Sequence, residues 1–371
     1  MAMGDRVRLL LAGDVMLGRG VDQVLPHPGD PAIFEDGAGS ALDYVALAER
    51  VNGAIPRPLG FAELWGDAPA ALVRHPVDRR IVNLETAVTR RGAPAPKGIN
   101  YRMTPENLPA LDAFAVDAVT LANNHVLDWG EAGLADTLDA CADAGLAAAG
   151  AGRTCAEAEA PAVLPLADGG RLLVFAAGLP SSGVPARWAS GEATAGVAFL
   201  PDLSAATRDR FAARIRATRD PRDVVVASLH WGRNWGYTVG DADRAFAHGL
   251  IDAGGVDVVF GHSSHHPKAI ELHRGKPILY GCGDLLNDYE GIAGMAAYRG
   301  DLVLLYRVVL AGPARRCRTL VMLPFRLRRF RLTTPAESDI VWLQRRLDRE
   351  CRRFGARVVR RHDDTLELFW R

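Results

Sequence analysis

Five short apolar runs between residues 8 and 262 each lead into a polar residue that can bind a metal ion. Continuous apolar runs of this length are typical of strands that are buried on both faces. The runs are residues 8–12 before Asp14, 80–84 before Glu85, 117–121 before Asn124 and His125, 223–229 before His230, and 256–260 before His262.

Helical patterns fill the intervals between these runs. Residues 129–145, 205–218 and 241–254 have apolar side chains near every third or fourth position, and the first of them ends at a glycine. Strands that alternate with helices predict an α/β fold with a largely parallel core.

The pattern changes after Asp301. Short β segments (residues 302–310, 317–323 and 330–333), a charged helix (337–354) and a final strand (365–370) follow one another. We predict one metal-binding α/β domain over residues 1–300, with residues 301–371 completing the same domain. Roughly the last 60 residues are rich in arginine, which predicts either a solvated face or a docking surface for an acidic partner.

Composition and charge exclude several classes of protein. The chain has 371 residues, with 44 Lys and Arg against 44 Asp and Glu, and a nucleic-acid-binding protein usually shows a basic excess. No apolar stretch reaches the length of a membrane span, and the N-terminus lacks the features of a signal peptide. We therefore expect a cytoplasmic protein without nucleic-acid or membrane partners. The five cysteines lack a CxxC pair and predict free thiols.

The strand ends predict a metal centre. In open α/β sheets, ligands bind beyond the carboxyl ends of the strands, so one pocket could collect the predicted ligands Asp14, Glu85, Asn124, His230, His262 and His265. Carboxylate and imidazole ligands together favour Mn, Zn or Fe, with Ca or Mg less favoured, and one or two ions fit the set. The alternatives are local: Asp14 as a helix cap, and residues 123–125 and 261–266 as polar turns.

Five motifs, in order over roughly residues 8–290, carry a resemblance to a known family. They are GDVMLGR (13–19), NLE (83–85), ANNHVLDWG (122–130), HWG (230–232) and GHSSHHP (261–267). They resemble the CapA family, named for capsule and poly-γ-glutamate synthesis, which is similar to calcineurin-like metallophosphoesterases. The resemblance implies a sandwich of two β-sheets flanked by helices, with a metal centre at the sheet ends.

The resemblance also implies roles for single residues. Asp14 and His265 would bind a first metal, and Asn124, His230 and His262 would bind a second. Glu85 would bridge the two metals, and His125 would be an acid/base residue. Two positions depart from the phosphoesterase pattern: Met16 stands where those enzymes have a ligand histidine, and Glu85 replaces an aspartate. These departures predict a weaker or empty first site and argue against ordinary phosphate-ester hydrolysis.

The leading functional hypothesis is peptide epimerisation. The segments GHSSHHP and YGCGDLLNDYEG (280–291) resemble the CapA-like branch that contains the lasso-peptide epimerase MslH. That resemblance implies inversion of the Cα of a C-terminal residue, tryptophan in that case, of a ribosomal precursor peptide. A metal would stabilise the developing enolate, while one base removes the Cα proton and an acid returns it. The candidates are His125 with His265 or His266, and the weaker ones are Asp284 and Asp288.

Substrate contacts are predicted from charge and aromatic character. Arg19, Lys97 and Arg102 are candidate anion-binding residues, and Trp231 and Trp235 are candidate aromatic contacts, unless they belong to the core. Two further functions stay open. One is a metal-dependent hydrolase or transferase of the CapA type acting on poly-γ-glutamate or phosphoesters, and the other is a non-catalytic protein that holds a carboxylate polymer through its metal.

Overall fold

Two β-sheets form the centre of the computed structural model, which describes residues 6–292, 294 and 296–370. The expectation about a signal peptide rests partly on residues 1–5, which lie outside the described residues. In the part of the chain that the structure describes, no helix is long and apolar enough to cross a membrane.

The large sheet contains ten strands. The four strands from the first 150 residues run parallel to one another. Strands from the C-terminal part of the chain extend the sheet in antiparallel orientation. In spatial order the main path is Ala356–Arg360, Leu366–Trp370, Arg316–Arg328, Leu302–Ala311, Arg6–Val15, Arg79–Leu84, Ala118–Thr120 and Ala147–Ala149, with Asp284–Leu286 paired to Arg6–Val15 and Arg331–Thr333 to Arg316–Arg328.

The small sheet contains six strands. Its four central strands are parallel, and each edge strand is antiparallel to its neighbour. The order is Ala162–Pro165, Arg171–Gly178, Val224–His230, Val258–His262, Lys276–Leu279 and Ile270–His273. Three two-stranded ribbons lie outside the sheets, formed by Ala32–Glu35 with Ala38–Ser40, Ala87–Val88 with Arg102–Met103, and Ala151–Gly152 with Gly196–Val197.

Helices flank both sheets. The α-helices are Arg19–Val24, Ala41–Asn52, Phe61–Leu64, Ala68–Arg74, Pro109–Asp112, Gly130–Asp143, Cys155–Glu159, Ala205–Thr218, Asp241–Gly254 and Glu337–Cys351, and the 3₁₀ turns are Pro105–Asn107, Pro180–Ser182, Ala186–Trp188, Ala296–Tyr298 and Arg352–Phe354. Local chemistry sets their starts. Ser40, for example, accepts a hydrogen bond from the Leu42 amide, while Asp43 accepts one from the Ser40 amide.

The predicted fold class, two sheets flanked by helices, is confirmed. All nine predicted strands form. Of the four predicted helices, two have the expected bounds, and the other two, Gly130–Asp143 and Glu337–Cys351, are shorter than predicted. Several strands were not predicted, among them Arg171–Gly178 and Ala356–Arg360. The second alternates buried and exposed residues within a charged stretch, so its apolar face is only two or three side chains wide and leaves a weak signal.

The two sheets bring their strand ends to a common region. Asp14 lies near the end of the first strand, and Glu85 directly follows the strand beside it. In the small sheet, His230 and His262 are paired across two neighbouring parallel strands. Residues that are more than 200 positions apart in the chain therefore meet in one buried cluster.

Candidate metal centre

Asp14, His230 and His262 form the centre of the cluster. Each is buried, and each offers one ligand atom that lies within 4.8 Å of the other two. His262 Nδ1 lies 3.7 Å from Asp14 Oδ1 and 2.7 Å from His230 Nδ1. This spacing allows the three side chains to hold one cation.

Backbone and side-chain donors fix the orientation of Asp14. One carboxylate oxygen accepts a hydrogen bond of 2.8 Å from Asn83 Nδ2, and the other accepts one of 3.0 Å from the Ser263 amide. Ser263 has a φ of 91°, a conformation that L-residues rarely adopt. Such strain persists only where the surrounding structure enforces it, and it concentrates at functional sites.

Hydrogen bonds also select the free nitrogens of the two histidines. Ser228 Oγ lies 2.7 Å from His262 Nε2, and Asn124 Oδ1 lies 2.9 Å from His230 Nε2. Because each oxygen accepts the Nε2 proton, Nδ1 of each ring is left to face the cluster. Burial lowers the pKa of His262 to about 3 and that of His230 well below its usual range. Both rings are therefore neutral, the form that binds metal ions.

Buried carboxylates complete the cluster. Glu85 Oε1 lies 3.7 Å from His230 Nε2 and 3.9 Å from His125 Nε2. Burial, and then repulsion from Asp284, raises the pKa of Asp14 to about 7, and burial with repulsion from Asp14 raises the pKa of Glu85 well above its usual range. Buried acids in contact are stable as anions only with a compensating cation. The oxygen and imidazole donors therefore fit a divalent ion such as Mn, Zn or Fe.

His125 belongs to a second group of side chains beside the cluster. Its Nδ1 lies 2.6 Å from Asp128 Oδ2, and Lys97 Nζ lies 2.6 Å from the other oxygen of the same carboxylate. The imidazole stacks on the Tyr101 ring at 3.7 Å between centroids. Burial lowers the pKa of His125 well below its usual range, so the ring is neutral, and its Nε2 faces Glu85.

His265 forms a similar pair with another carboxylate. Its Nδ1 lies 3.0 Å from Asp284 Oδ1, and Asn234 Nδ2 lies 3.0 Å from its Nε2. Asn287 donates to the second oxygen of Asp284 at 2.8 Å. Burial by itself lowers the pKa of His265, but the carboxylates of Asp284 and Asp14 together outweigh burial and raise that pKa above the usual value.

A cavity of about 940 Å³ lies beside the cluster and reaches it at Glu85 and Asn124. Its lining combines the polar groups of the site with aromatic and apolar side chains, as ligand pockets commonly do. The lining includes Glu85, Asn124, His125 and His265, together with Arg19, Tyr44, Lys97, Ile99, Tyr101, Trp235, Tyr289, Arg299, Arg326 and Leu327.

Three predicted site residues lie away from this cavity. His266 is fully buried, with Nδ1 3.1 Å from the Pro267 carbonyl oxygen and Nε2 accepting from the Gly236 amide at 3.1 Å, so neither nitrogen is free for catalysis. Trp231 packs in the core and donates to the Tyr280 carbonyl. Arg102 stacks over Trp129 beside a different, smaller pocket.

Two predicted anion-binding residues reach the cavity but are already paired. Arg19 lines it, yet its guanidinium is held by Asp288 and by Glu35, and it is 3% exposed. Lys97 Nζ contacts Asp128 and the Asn124 carbonyl oxygen. Both cations are therefore already bound by groups of the protein itself. Of the two predicted aromatic contacts, Trp235 lines the cavity.

The site also contains residues that sequence reasoning did not assign. Asn83 orients Asp14, Ser228 orients His262, and Asp128 orients His125. The sequence did offer a signal for two of them. Asn83 is a polar residue within an apolar strand, and Asp128 is the third residue after His125 in the motif ANNHVLDWG. Ser228 is two positions before His230 on the same strand, so alternation places both on one face.

The fold and the cluster define an α/β protein with a candidate divalent-metal centre at the ends of its parallel strands. The chain belongs to the bacterial capsule synthesis protein PGA_cap family, whose model matches residues 8–289. The predicted CapA-family membership is thereby confirmed.

Similar proteins extend over most of the chain. A probable polyglutamine synthesis accessory protein of Mycobacterium tuberculosis is 47% identical over 98% of this chain and 96% of its own length. The PGA biosynthesis protein CapA of Bacillus subtilis is 26% identical over 84% of this chain and 70% of its own. Among solved structures, a phosphatase from Mycoplasma pneumoniae aligns over 89% of this chain and 95% of its own, with 11% identity and a TM-score of 0.47.

Proposed function

We propose that the protein is a metal-dependent hydrolase or transferase acting on amide bonds of a glutamate polymer. The observation that carries this proposal is the buried Asp14, His230 and His262 cluster, which lies beside a cavity large enough for several residues of a chain. The names of two similar proteins, which refer to polyglutamine synthesis and to PGA biosynthesis, supply the substrate class.

Asp14, His230 and His262 would hold the ion, with Glu85 and Asn124 as further ligands. A divalent cation supplies Lewis-acid polarisation of a carbonyl oxygen and lowers the pKa of water. Asn83 and Ser228 keep the first ligands in their binding orientation through the hydrogen bonds described above. The residues of the chain then perform the proton transfers.

His125 is the proposed base. Its Nδ1–H donates to Asp128, which fixes the tautomer, and its Nε2 receives the proton of water as the water oxygen bonds to the amide carbonyl carbon. The same Nε2–H then protonates the departing amine as the C–N bond breaks. Lys97 neutralises Asp128 from the far side, and the stacked Tyr101 holds the plane of the ring.

The experiment is a polymer-shortening assay. Poly-γ-glutamate of defined length is incubated with Mn- or Zn-loaded protein, and chain length and new amino groups are followed. We expect shortening by the wild type and by His362→Gln, whose exposed side chain is a matched control, and loss of shortening in His125→Asn. An unchanged polymer with robust turnover of p-nitrophenyl phosphate would instead assign the site to phosphoesters. Tight polymer binding without any turnover would favour the non-catalytic, carboxylate-holding function.

Epimerisation is a second candidate, favoured by one arrangement. His125 stacks on Tyr101, His265 packs edge-on against Tyr289 at 5.3 Å, and the two tyrosine hydroxyls share a hydrogen bond. Two imidazoles, each with its own aspartate, therefore flank one tyrosine pair and could exchange a Cα proton from two sides. Of the two predicted partners of His125, this arrangement favours His265, since His266 is enclosed.

A labelling experiment separates the two candidates. A candidate precursor peptide is incubated with metal-loaded protein in deuterated water, hydrolysed, and its amino acids are resolved as enantiomers. Deuterium at one inverted Cα supports epimerisation. An unlabelled, all-L product eliminates epimerisation of that peptide. None of the similar proteins named above is described as an epimerase.

A further inference from the structure

The C-terminal helix Glu337–Cys351 and the segment after it carry a cluster of arginines that the proposed chemistry does not use. Three of them surround Glu350: Arg346 at 3.5 Å, Arg349 at 3.0 Å and Arg353 at 3.3 Å. Arg352 and Arg357 lie 2.8 Å and 4.0 Å from Asp348. We call these five arginines the arginine face. Two carboxylates face five guanidinium groups, so positive charge remains in excess.

The charge of the arginine face is part of a larger imbalance along the chain. Residues 301–371 contain 17 arginines, no lysine and eight Asp or Glu, a net charge of +9, whereas the whole chain has a formal net charge of zero. Exposure adds to the effect, because the Arg349 and Arg353 side chains are each 60% exposed. A concentrated positive field of this kind attracts anions from solution.

Aromatic side chains connect the arginine face to the cavity. The Arg346 guanidinium lies 4.3 Å from the centre of the Tyr237 ring, and that ring stacks on Tyr298 at 5.5 Å. Tyr298 packs against Trp235 at 5.2 Å, and Trp235 lines the cavity and lies 5.2 Å from His265. A chain of side-chain contacts thus links Arg346 of the arginine face to the lining of the cavity.

We propose that the arginine face binds an acidic, carboxylate-bearing chain and directs it into the cavity. The planar guanidinium can bind a carboxylate in a two-pronged geometry, and the Glu350 carboxylate already lies within 3.5 Å of three guanidinium groups. The direction toward the cavity rests on the proposed function, whereas binding of the acidic chain by the arginine face does not.

The probe is fluorescein-labelled poly-L-glutamate, and its affinity for the full chain is measured by fluorescence anisotropy. EDTA is present throughout, so that polymer binding is measured without metal chemistry. The test variant is Arg349→Gln with Arg353→Gln. The matched control is Arg210→Gln with Arg216→Gln, which removes the same charge from exposed positions on helix Ala205–Thr218. We expect the test variant to bind about tenfold more weakly and with a shallower salt dependence, and the control to bind as the wild type does.

The outcomes are distinguishable. Equal weakening in both double variants, undetectable binding by the wild type, or tighter binding of DNA or anionic vesicles than of poly-L-glutamate would each overturn the assignment. If wild-type binding follows the expected pattern while the polymer-shortening assay fails, the arginine face stands and the proposed hydrolysis falls.

Discussion

His230 Nδ1 and His262 Nδ1 lie 2.7 Å apart, at paired positions of two neighbouring parallel strands. Parallel strands are spaced about 4.8 Å apart, so side chains in register on one face converge. Each ring commits its Nε2 to an oxygen acceptor. Both lone pairs at Nδ1 therefore point toward the same small volume, which favours a shared cation.

The first prediction is that His262→Ala abolishes metal-dependent stabilisation. A ligand at one hundred times its Kd stabilises the folded state by about 2.7 kcal/mol, so Mn or Zn should raise the Tm of the wild type. Removing His262 takes away one of three central ligands, and the rise should disappear. His362→Ala, a change at an exposed histidine, should keep it. An unaltered metal-induced rise in His262→Ala would refute the assigned centre.

The second prediction concerns the group behind a ligand. Ser228 accepts the Nε2 proton of His262, and loss of such an orienting partner typically costs 10–100-fold in metal affinity. Calorimetric titration of Ser228→Ala should show a loss of about that size, with the number of bound ions unchanged. Ser190→Ala, which removes a hydroxyl bonded to the Val197 carbonyl, is the control. Equal affinities in the two variants would mean that Ser228 does not orient the ligand.

The strand ends were predictable because the signals are local. A buried apolar run followed by a polar residue marks each end, and topology then brings the ends together. The alternation of side chains along an extended backbone explains one error. His230 and Trp231 are consecutive on an extended backbone, so their side chains point to opposite faces of the sheet. His230 faces the cluster, and Trp231 therefore packs in the core on the other side.

Other features needed contacts that the sequence does not display. The carboxylate partners of Arg19 come from Glu35 and from Asp288, 269 positions away, so its pairing was invisible. The choice between His265 and His266 depends on a loop that contains the unusual φ of Ser263. Neither residue spacing nor composition specifies which of two adjacent imidazoles such a loop turns toward the cavity.

The third prediction separates a catalytic histidine from an enclosed one. A positioned general base contributes about 10²–10⁴ in rate, so His125→Asn should lower kcat by that factor while the Tm stays near the wild-type value. His266→Asn should instead lower stability by about 1–3 kcal/mol, because it leaves buried groups without partners. Its kcat should remain within a few-fold of the wild type. A reversed pattern would exchange the two roles.

The fourth prediction is a dependence of stability on pH at a position remote from the site. Hydrogen bonds from Ser204 and Thr207 hold the pKa of Asp202 at about 2, below its ordinary 3.8. Because the folded-state pKa is depressed, the stabilisation is present above pH 3.8 and is lost as the pH falls through about 2. Asp202→Asn should be less stable than the wild type at neutral pH, and the difference should vanish near pH 2. A constant difference across this range would contradict the assigned hydrogen bonds.

The last prediction concerns the thiols. Burial raises the pKa of Cys141, Cys317 and Cys351 to about 12, and the thiolate is the form that reacts with alkylating agents. At pH 8 only about one in ten thousand of these thiols is ionised, a fraction that follows from the four-unit gap between pH and pKa. Burial also raises the pKa of the Cys282 thiol well above its usual range, whereas Cys155 is partly exposed. Iodoacetamide should therefore label Cys155 alone in the native protein and all five cysteines after denaturation, as peptide mass spectrometry would show. Native labelling of Cys282 would be the most damaging result, because this residue is fully buried and its neighbour Gly283 accepts a hydrogen bond from the Asp14 amide. Its reaction would mean that the region around Asp14 opens to solvent.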